Sequence, residues 1–262
     1  MQGMHRARAT AESFGVDPDR YHRARPRYPD ELIARVVAAA PGIRFLDVGI
    51  GTGIEARQLR AAGCRVLGVE PDARMAGYAR RDGAQVEVST FEAWDPVGRT
   101  FDAVVSATAW HWVDPFVGAS KAAQVLTAGG VFAAFWNVGE VPAEVAGAFA
   151  AVYERVAPDA LAARAYRHGG SMIDGYKAIL DKAADGLRAT GAFEPPERWR
   201  LDWERYYTRE EWLDVLPTQG GNTRIPPQQL EALLGATGDA IDAIGGGFTM
   251  RYGSLALVAP RR

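Results

Sequence analysis

The sequence predicts an α/β fold built on a parallel sheet, and three observations carry that reading. Strand-like runs alternate with helical patterns through the first half of the chain. The connections between them are short, which implies right-handed βαβ crossovers. The first strand also runs directly into a glycine turn, Phe45-Leu-Asp-Val-Gly-Ile-Gly-Thr-Gly53, of the kind that lets a small ligand approach the backbone.

Taken in order, strand signals fall at 43–48, 65–70, 85–88, 101–106 and 131–136, with helical patterns near 54–62, 72–81 and 116–127. Asp114-Pro115 is a start signal for the last helix, a capping acid followed by proline at the first helical position. Gly129-Gly130 is read as its stop. The pattern then changes. Val145, Phe149, Val152 and Val156 share one helical face, as do Ile173, Tyr176, Leu180 and Leu187. No strand signal appears from about 140 to 195, so this stretch is read as a helical insertion, a lid over the substrate. Strand-like sequence returns at 198–207 and 248–259, with helices near 209–216 and 227–244 between them. One domain over 1–262 is expected, its core about 30–138 and 197–262.

The composition excludes several classes of function. With 30 Lys+Arg against 32 Asp+Glu, the formal charge of −2 gives no electrostatic case for nucleic acid. A single cysteine, Cys64, excludes an intrachain disulfide, and with four scattered histidines (His5, His22, His111, His168) leaves no zinc spacing, so no metal is expected. No apolar run approaches the ~20 residues of a membrane helix. The N-terminus has no hydrophobic segment of a secretory signal. A cytoplasmic protein is expected, as a monomer or homodimer.

Taken alone, the glycine loop is ambiguous. Gly51-Thr-Gly53-Ile-Glu-Ala56 satisfies the dinucleotide pattern as well. Three features favour S-adenosylmethionine. Asp47, two residues before Gly49, would repel a pyrophosphate but attract the ammonium of a methionine end. Glu70 ends the second strand, 17 residues after Gly53, where it can accept from both ribose hydroxyls. The third and fourth strands end in Ser89-Thr-Phe-Glu92 and Ser106-Ala-Thr-Ala-Trp-His-Trp-Val113, so four strand ends outline one pocket.

These segments, with VLGVEPDARM (66–75), FDAVVSATAWHWVD (101–114) and VLTAGGVFAAF (125–135), resemble class I S-adenosylmethionine-dependent methyltransferases, in particular the trans-aconitate methyltransferase-like small-molecule branch. Tyr21…Arg25-Pro26…Tyr28-Pro29 and Gly245-Gly-Gly-Phe…Tyr252 fit the same likeness. The resemblance implies a Rossmann-like seven-stranded sheet with an antiparallel last strand. It implies methyl transfer to an oxygen, nitrogen or carbon acceptor, oxygen being favoured, with S-adenosylhomocysteine as product. It places Asp47, Gly49, Gly51 and Gly53 at the methionine end of the donor, Glu70 and Pro71 at the ribose, and Thr90-Phe91-Glu92 around the adenine, with Phe91 or Met75 over the ring. Tyr21, Arg25 and Ala107 are added to the donor site, and Trp110, Trp112 and Tyr28 to the substrate pocket. Many relatives carry an aspartate near position 90, where this chain has Thr90.

His111 is the candidate base for a protonated acceptor. If 110–112 were extended, Trp110 and Trp112 would point one way and His111 the other. The remaining tryptophans, Trp94, Trp136, Trp199, Trp203 and Trp212, read as core, and Cys64 as a buried structural thiol. Arg164, Arg167, His168 and Lys177 form either a solvated basic face or an anchor for an anionic group. The glycine-bearing loop Thr218–Arg224 is expected to close the pocket opposite the insertion. Two rival classes remain: a cofactor-binding protein of this fold that transfers no methyl (a cyclase or regulator), and a nicotinamide-dependent oxidoreductase.

Overall fold

The strand β1 (Arg44–Val48) sits at the centre of the architecture, and its sequence RFLDV is buried at all but the first residue. A strand covered on both faces needs neighbours in the sheet and helices above and below. This computed structural model supplies them over the described residues, 12–160, 162–163, 166 and 171–262. In chain order these are α1 (Pro18–Ala24), α2 (Asp30–Ala39), β1, α3 (Ile54–Ala61), β2 (Arg65–Glu70), α4 (Ala73–Arg81), β3 (Gln85–Val88), β4 (Phe101–Ala107), α5 (Pro115–Val125), β5 (Leu126–Glu140), α6 (Ala143–Val156), α7 (Met172–Gly175), α8 (Lys177–Thr190), β6 (Glu197–Thr208), α9 (Arg209–Val215), α10 (Pro227–Ala243) and β7 (Gly247–Pro260).

One seven-stranded sheet runs β3-β2-β1-β4-β5-β7-β6. Strands β1 to β5 pair in parallel, and β7 is antiparallel to both of its neighbours, β5 and β6. This is the sheet anticipated above. Two apolar layers cover its faces. One joins Phe132, Trp136, Leu180 and Leu187; the other joins Leu32, Phe45, Leu59 and Phe135.

One local expectation needs correction, and two open readings are settled. The helix before β5 does begin at Pro115, with Asp114 accepting from the amides of Phe116 and Val117. It ends at Val125, four residues short of the glycine pair. Gly129, at φ 71°, instead lies inside β5. There the pairing with β4 jumps from Phe101↔Leu126 to Ala103↔Val131, and a residue free of Cβ strain lets the extra chain bulge out.

Between β5 and β6 the described residues are helical, as expected, but the helices pack in two places. α8 packs on α5 so closely that a Cβ on Gly186 would stand 2.1 Å from the Pro115 carbonyl oxygen. Its buried Leu180, Ala183, Ala184 and Leu187 belong to a sheet-covering layer. α6 instead joins the extended ends of β6 and β7 with α9 and α10, around Phe149, Tyr153, Tyr207, Trp212 and Phe248. Arg164, Arg167 and His168 lie outside the described residues, as does His5. The run 110–112 forms one turn of 3-10 helix, so the condition under which its side chains would alternate is not met.

The docking of α8 makes a paired prediction. Gly186→Ala should cost about 1–3 kcal/mol through overpacking against backbone. Gly235→Ala, on α10 with nothing within 4 Å of its Cβ position, should gain up to ~1 kcal/mol from helix propensity. Urea unfolding of the two variants measures both signs.

Candidate active site

The sheet order reverses between β1 and β4, and a crevice forms beyond their carboxyl ends at such a switch point. Ser106 donates its hydroxyl to the Val48 carbonyl at 2.8 Å and pins the two strands below it. Above, β1 turns through the loop 49–53, where Gly49, Gly51 and Gly53 have φ of 76°, 56° and 81°. A Cβ on Gly49 would also stand 2.5 Å from Ala109 Cβ, so both conformation and space require glycine.

Glu70, at the end of β2, accepts from the amides of Gly51 and Asp72, both at 2.9 Å. The carboxylate thus braces the glycine loop from the side, and each oxygen keeps a further lone pair for a ligand hydroxyl. Pro71 is exposed beside it, and Met75 is buried with its Cε 3.6 Å from the Cβ position of Gly51.

Asp47 is completely buried. Glu55, on the first turn of α3, is its acidic neighbour. No donor among the described residues reaches either Asp47 oxygen or Glu55 Oε1. Burial pushes the Asp47 carboxyl up to about 7, the neighbouring Glu55 carboxyl opposes the rise, and the charge of Glu70 adds to it. Burial and then the Asp47 charge hold Glu55 well above the carboxylate range. Glu70 also rises to about 7 through burial, its amide bonds pulling the other way. Glu55, and not Asp47, is on the pocket wall. Sequence reasoning missed it, because an acid in a first helical turn reads as a partner of the helix dipole.

The N-terminal segment closes the crevice. Asp17 caps α1, Pro18 starts it, and Arg25 leaves it in extended conformation before Pro26. Arg20 and Arg23 both pair with Asp214 of α9, while His22 stacks on Tyr78 at 4.9 Å and bonds Thr52 at 3.0 Å. This delivers Tyr21, Arg25 and Tyr28 to the pocket wall. Tyrosines 21, 28, 176 and 252 surround Arg25, and it forms no ion pair with a carboxylate among the described residues. The loop Thr218–Arg224 does not line this wall. It touches the segment that does, through Thr223 and Ser13 hydroxyls 2.6 Å apart and the approach of Gly220 to Phe14, while Asn222 turns inward to Tyr153 and the Leu216 carbonyl.

Beyond β4, Ala107 and Thr108 line the pocket, and Asn137 reaches it from β5. Thr108, a β-branched residue, is held at φ 53°. Such strain concentrates at functional positions, and here it brings the Thr108 hydroxyl 2.7 Å from that of Tyr28. Neither Thr108 nor Asn137 was singled out in the sequence, although Asn137 directly follows the strand signal at 131–136.

The other expected residues serve the surroundings. Glu92 accepts from the Asp114 amide at 2.9 Å, and the Thr90 hydroxyl accepts from the Ala93 amide at 3.3 Å. Phe91 is buried between Trp94 and Trp110. A 3-10 turn rotates successive side chains by roughly 120° rather than 180°, so the two tryptophans diverge. Trp110 packs on Phe132 at 4.6 Å in the core, whereas Trp112 faces Phe14 at 6.2 Å. Trp110 is therefore a core residue, not a wall of this pocket.

His111 Nδ1 accepts from Trp136 Nε1–H at 3.0 Å. That bond assigns the proton of the neutral ring to Nε2. Burial lowers the imidazole to about 4, so the ring is a neutral hydrogen-bond donor through the physiological range. It is not among the residues on the pocket wall.

A doubly wound sheet with an antiparallel β7, and a glycine loop flanked by Asp47 and Glu70 at its switch point, define the class I methyltransferase architecture. Residues 46–134 match the methyltransferase domain family. Over 220 residues the chain is 30% identical to the uncharacterized methyltransferase Rv3342 of Mycobacterium tuberculosis and equally to Mb3374 of Mycobacterium bovis, covering 82% of this chain and 80% of each relative. A solved structure from Anaeromyxobacter dehalogenans, assigned as a type II methyltransferase, shares the fold with a TM-score of 0.59 and 22% identity over 90% of this chain and 97% of that one. The chain belongs to this methyltransferase family, an enzyme family whose methyl donor is S-adenosylmethionine.

The buried acids set the pH dependence of stability. A carboxyl whose folded pKa exceeds its unfolded value stabilises fully below the unfolded value, near 4, and loses that contribution as pH rises through about 7. Asp47→Asn should therefore flatten the loss between pH 4 and 7. At pH 8 it should make the ligand-free protein more stable than wild type by on the order of 2 kcal/mol, measured by thermal and urea unfolding.

Proposed function

We propose that this protein methylates a small-molecule acceptor at an oxygen that arrives already ionised, a carboxylate being the fitting group. Support for the donor site comes from an orphaned buried carboxyl pair beside a loop where a Cβ on Gly49 would leave no room. S-adenosylmethionine supplies there a methyl on a positively charged sulfur. The Asp47–Glu55 pair would attract the donor's ammonium, Arg25 its carboxylate, and Glu70 its ribose hydroxyls.

The single observation that carries the acceptor reading is the Trp136–His111 bond. The histidine expected to act as a base has its free lone pair engaged and offers only Nε2–H. Around the pocket, Tyr28 stays protonated because burial raises its hydroxyl well above the usual phenol range. Thr108, bonded to it, also presents a hydroxyl, so the tyrosine side of the crevice offers donors. Donors orient an anionic oxygen and hold it in line with the donor's methyl, and well-placed reactants gain up to ~7–11 kcal/mol from positioning. A hydroxyl or amine acceptor would need a proton removed, and these donors do not remove one.

The measurement is S-adenosylhomocysteine formation with a panel of small acids, alcohols and amines. Rates with the best acid should be flat between pH 6 and 8, and His111→Gln should cost less than about tenfold. A loss of ~10²–10⁴, the usual worth of a positioned base, with an alcohol or amine preferred, overturns the reading.

A further inference from the structure

Three acids converge on one end of the pocket, and only one of them touches it. Asp47 is sealed from solvent at the end of β1, Glu70 is committed to the amides of Gly51 and Asp72, and Glu55 of α3 occupies the wall. Glu55 is 4% exposed and its Oε1 has no partner. An unpartnered carboxyl nine-tenths buried on a pocket wall points to a cationic ligand, since ionising it without one is costly. The groups facing it are Asp47 on β1, Glu70 on β2, and Tyr28 and Tyr21 from the N-terminal segment, which also carries Arg25. Asp72 adjoins Glu70, and His22 and Arg57 form a linked pair over Thr52.

We propose that Glu55 carries a proton in the ligand-free protein, and that it gives this proton to solvent when the charged donor binds but keeps it when the product binds. This rests on the donor site described above. The two ligands differ by one positive charge. Both carry the ammonium and carboxylate of a methionine end, but S-adenosylmethionine has a sulfonium and S-adenosylhomocysteine a neutral thioether. The ammonium is balanced by ionised Asp47 in either complex. Only the sulfonium leaves a second positive charge in the pocket to favour ionised Glu55. Glu55 is then a specificity-determining residue that lets pH set the preference for donor over product.

Linkage fixes the sign. A ligand that expels a proton binds more tightly as pH rises, up to tenfold per pH unit for one full proton. The ratio of S-adenosylmethionine to S-adenosylhomocysteine affinity should therefore rise from pH 6 to pH 7 by up to tenfold. Isothermal titration calorimetry of the wild-type protein, in phosphate and in imidazole, counts protons directly through the different ionisation heats of the two buffers. About one more proton should be released by S-adenosylmethionine than by S-adenosylhomocysteine near neutral pH. In Glu55→Gln the difference should vanish and the affinity ratio should no longer change with pH, while each ligand still binds. Equal proton counts for the two ligands in wild type overturn the proposal without any variant. So does a Glu55→Gln protein that keeps the pH-dependent ratio. Failure of both ligands to bind at all would instead remove the donor assignment, and this inference with it.

Discussion

The structure is organised around a carboxyl buried without a compensating cation at the end of its central strand. β1 is covered on both faces, so a side chain at its carboxyl end lies either in the core or in the crevice of the switch point. Asp47 lies in between, fully buried beside Glu55 and with no hydrogen-bond partner among the described residues. Leaving such a group unpaired costs several kcal/mol. The cost is tolerable because the sheet beneath carries a large core, and under the proposed donor site a cationic ligand would recover it. On that reading stability and recognition draw on the same residue in opposite directions.

That constraint shapes what lies above. The glycine loop must pass close over the acids, so it is held open by positive φ and braced by Glu70 rather than by apolar packing. A loop braced by charge needs water kept out, and the N-terminal segment does this by crossing the crevice. Its anchors are far apart in sequence: Asp214 of α9 receives Arg20 and Arg23, and Thr223 receives Ser13. The extended ends of β6 and β7 and the cluster around Trp212 therefore serve the donor site indirectly. They form the post to which its cover is tied.

What was legible in the sequence follows from range. The strand–glycine–acid arrangement from Phe45 to Glu70 was readable because strand burial, positive φ and the second strand's end are all local or one crossover apart. The alternation of elements gave the parallel core for the same reason, and the family likeness added the antiparallel β7. The misreadings arose where a local signal had two physical outcomes. Gly129-Gly130 can stop a helix or relieve a bulge, and the β4 register decides between them. Trp110-His-Trp112 can alternate or coil, and Trp136 across the sheet decides that through the His111 ring. Where α8 docks was not readable either, because nothing in its own sequence announces that Gly186 is pressed against Pro115. Glu55 was hidden by a stronger conventional reading of acids at helix starts.

The protonation states of the pocket carry the argument from fold to chemistry. The same burial raises Asp47, Glu55 and Glu70 and lowers His111, so each of these groups tends toward its neutral form when no ligand is present. A neutral acid can still be ionised by a cation brought beside it, because the attraction offsets desolvation. A neutral histidine whose lone pair is held by an indole N–H gains nothing from that cation, since a positive neighbour disfavours its protonation further. On the proposed reading the arrival of the donor makes the acids more anionic, while His111, off the pocket wall with its lone pair engaged, takes up no proton. The chemistry that reading leaves to the protein is alignment and exclusion of water around an acceptor that brings its own electron pair.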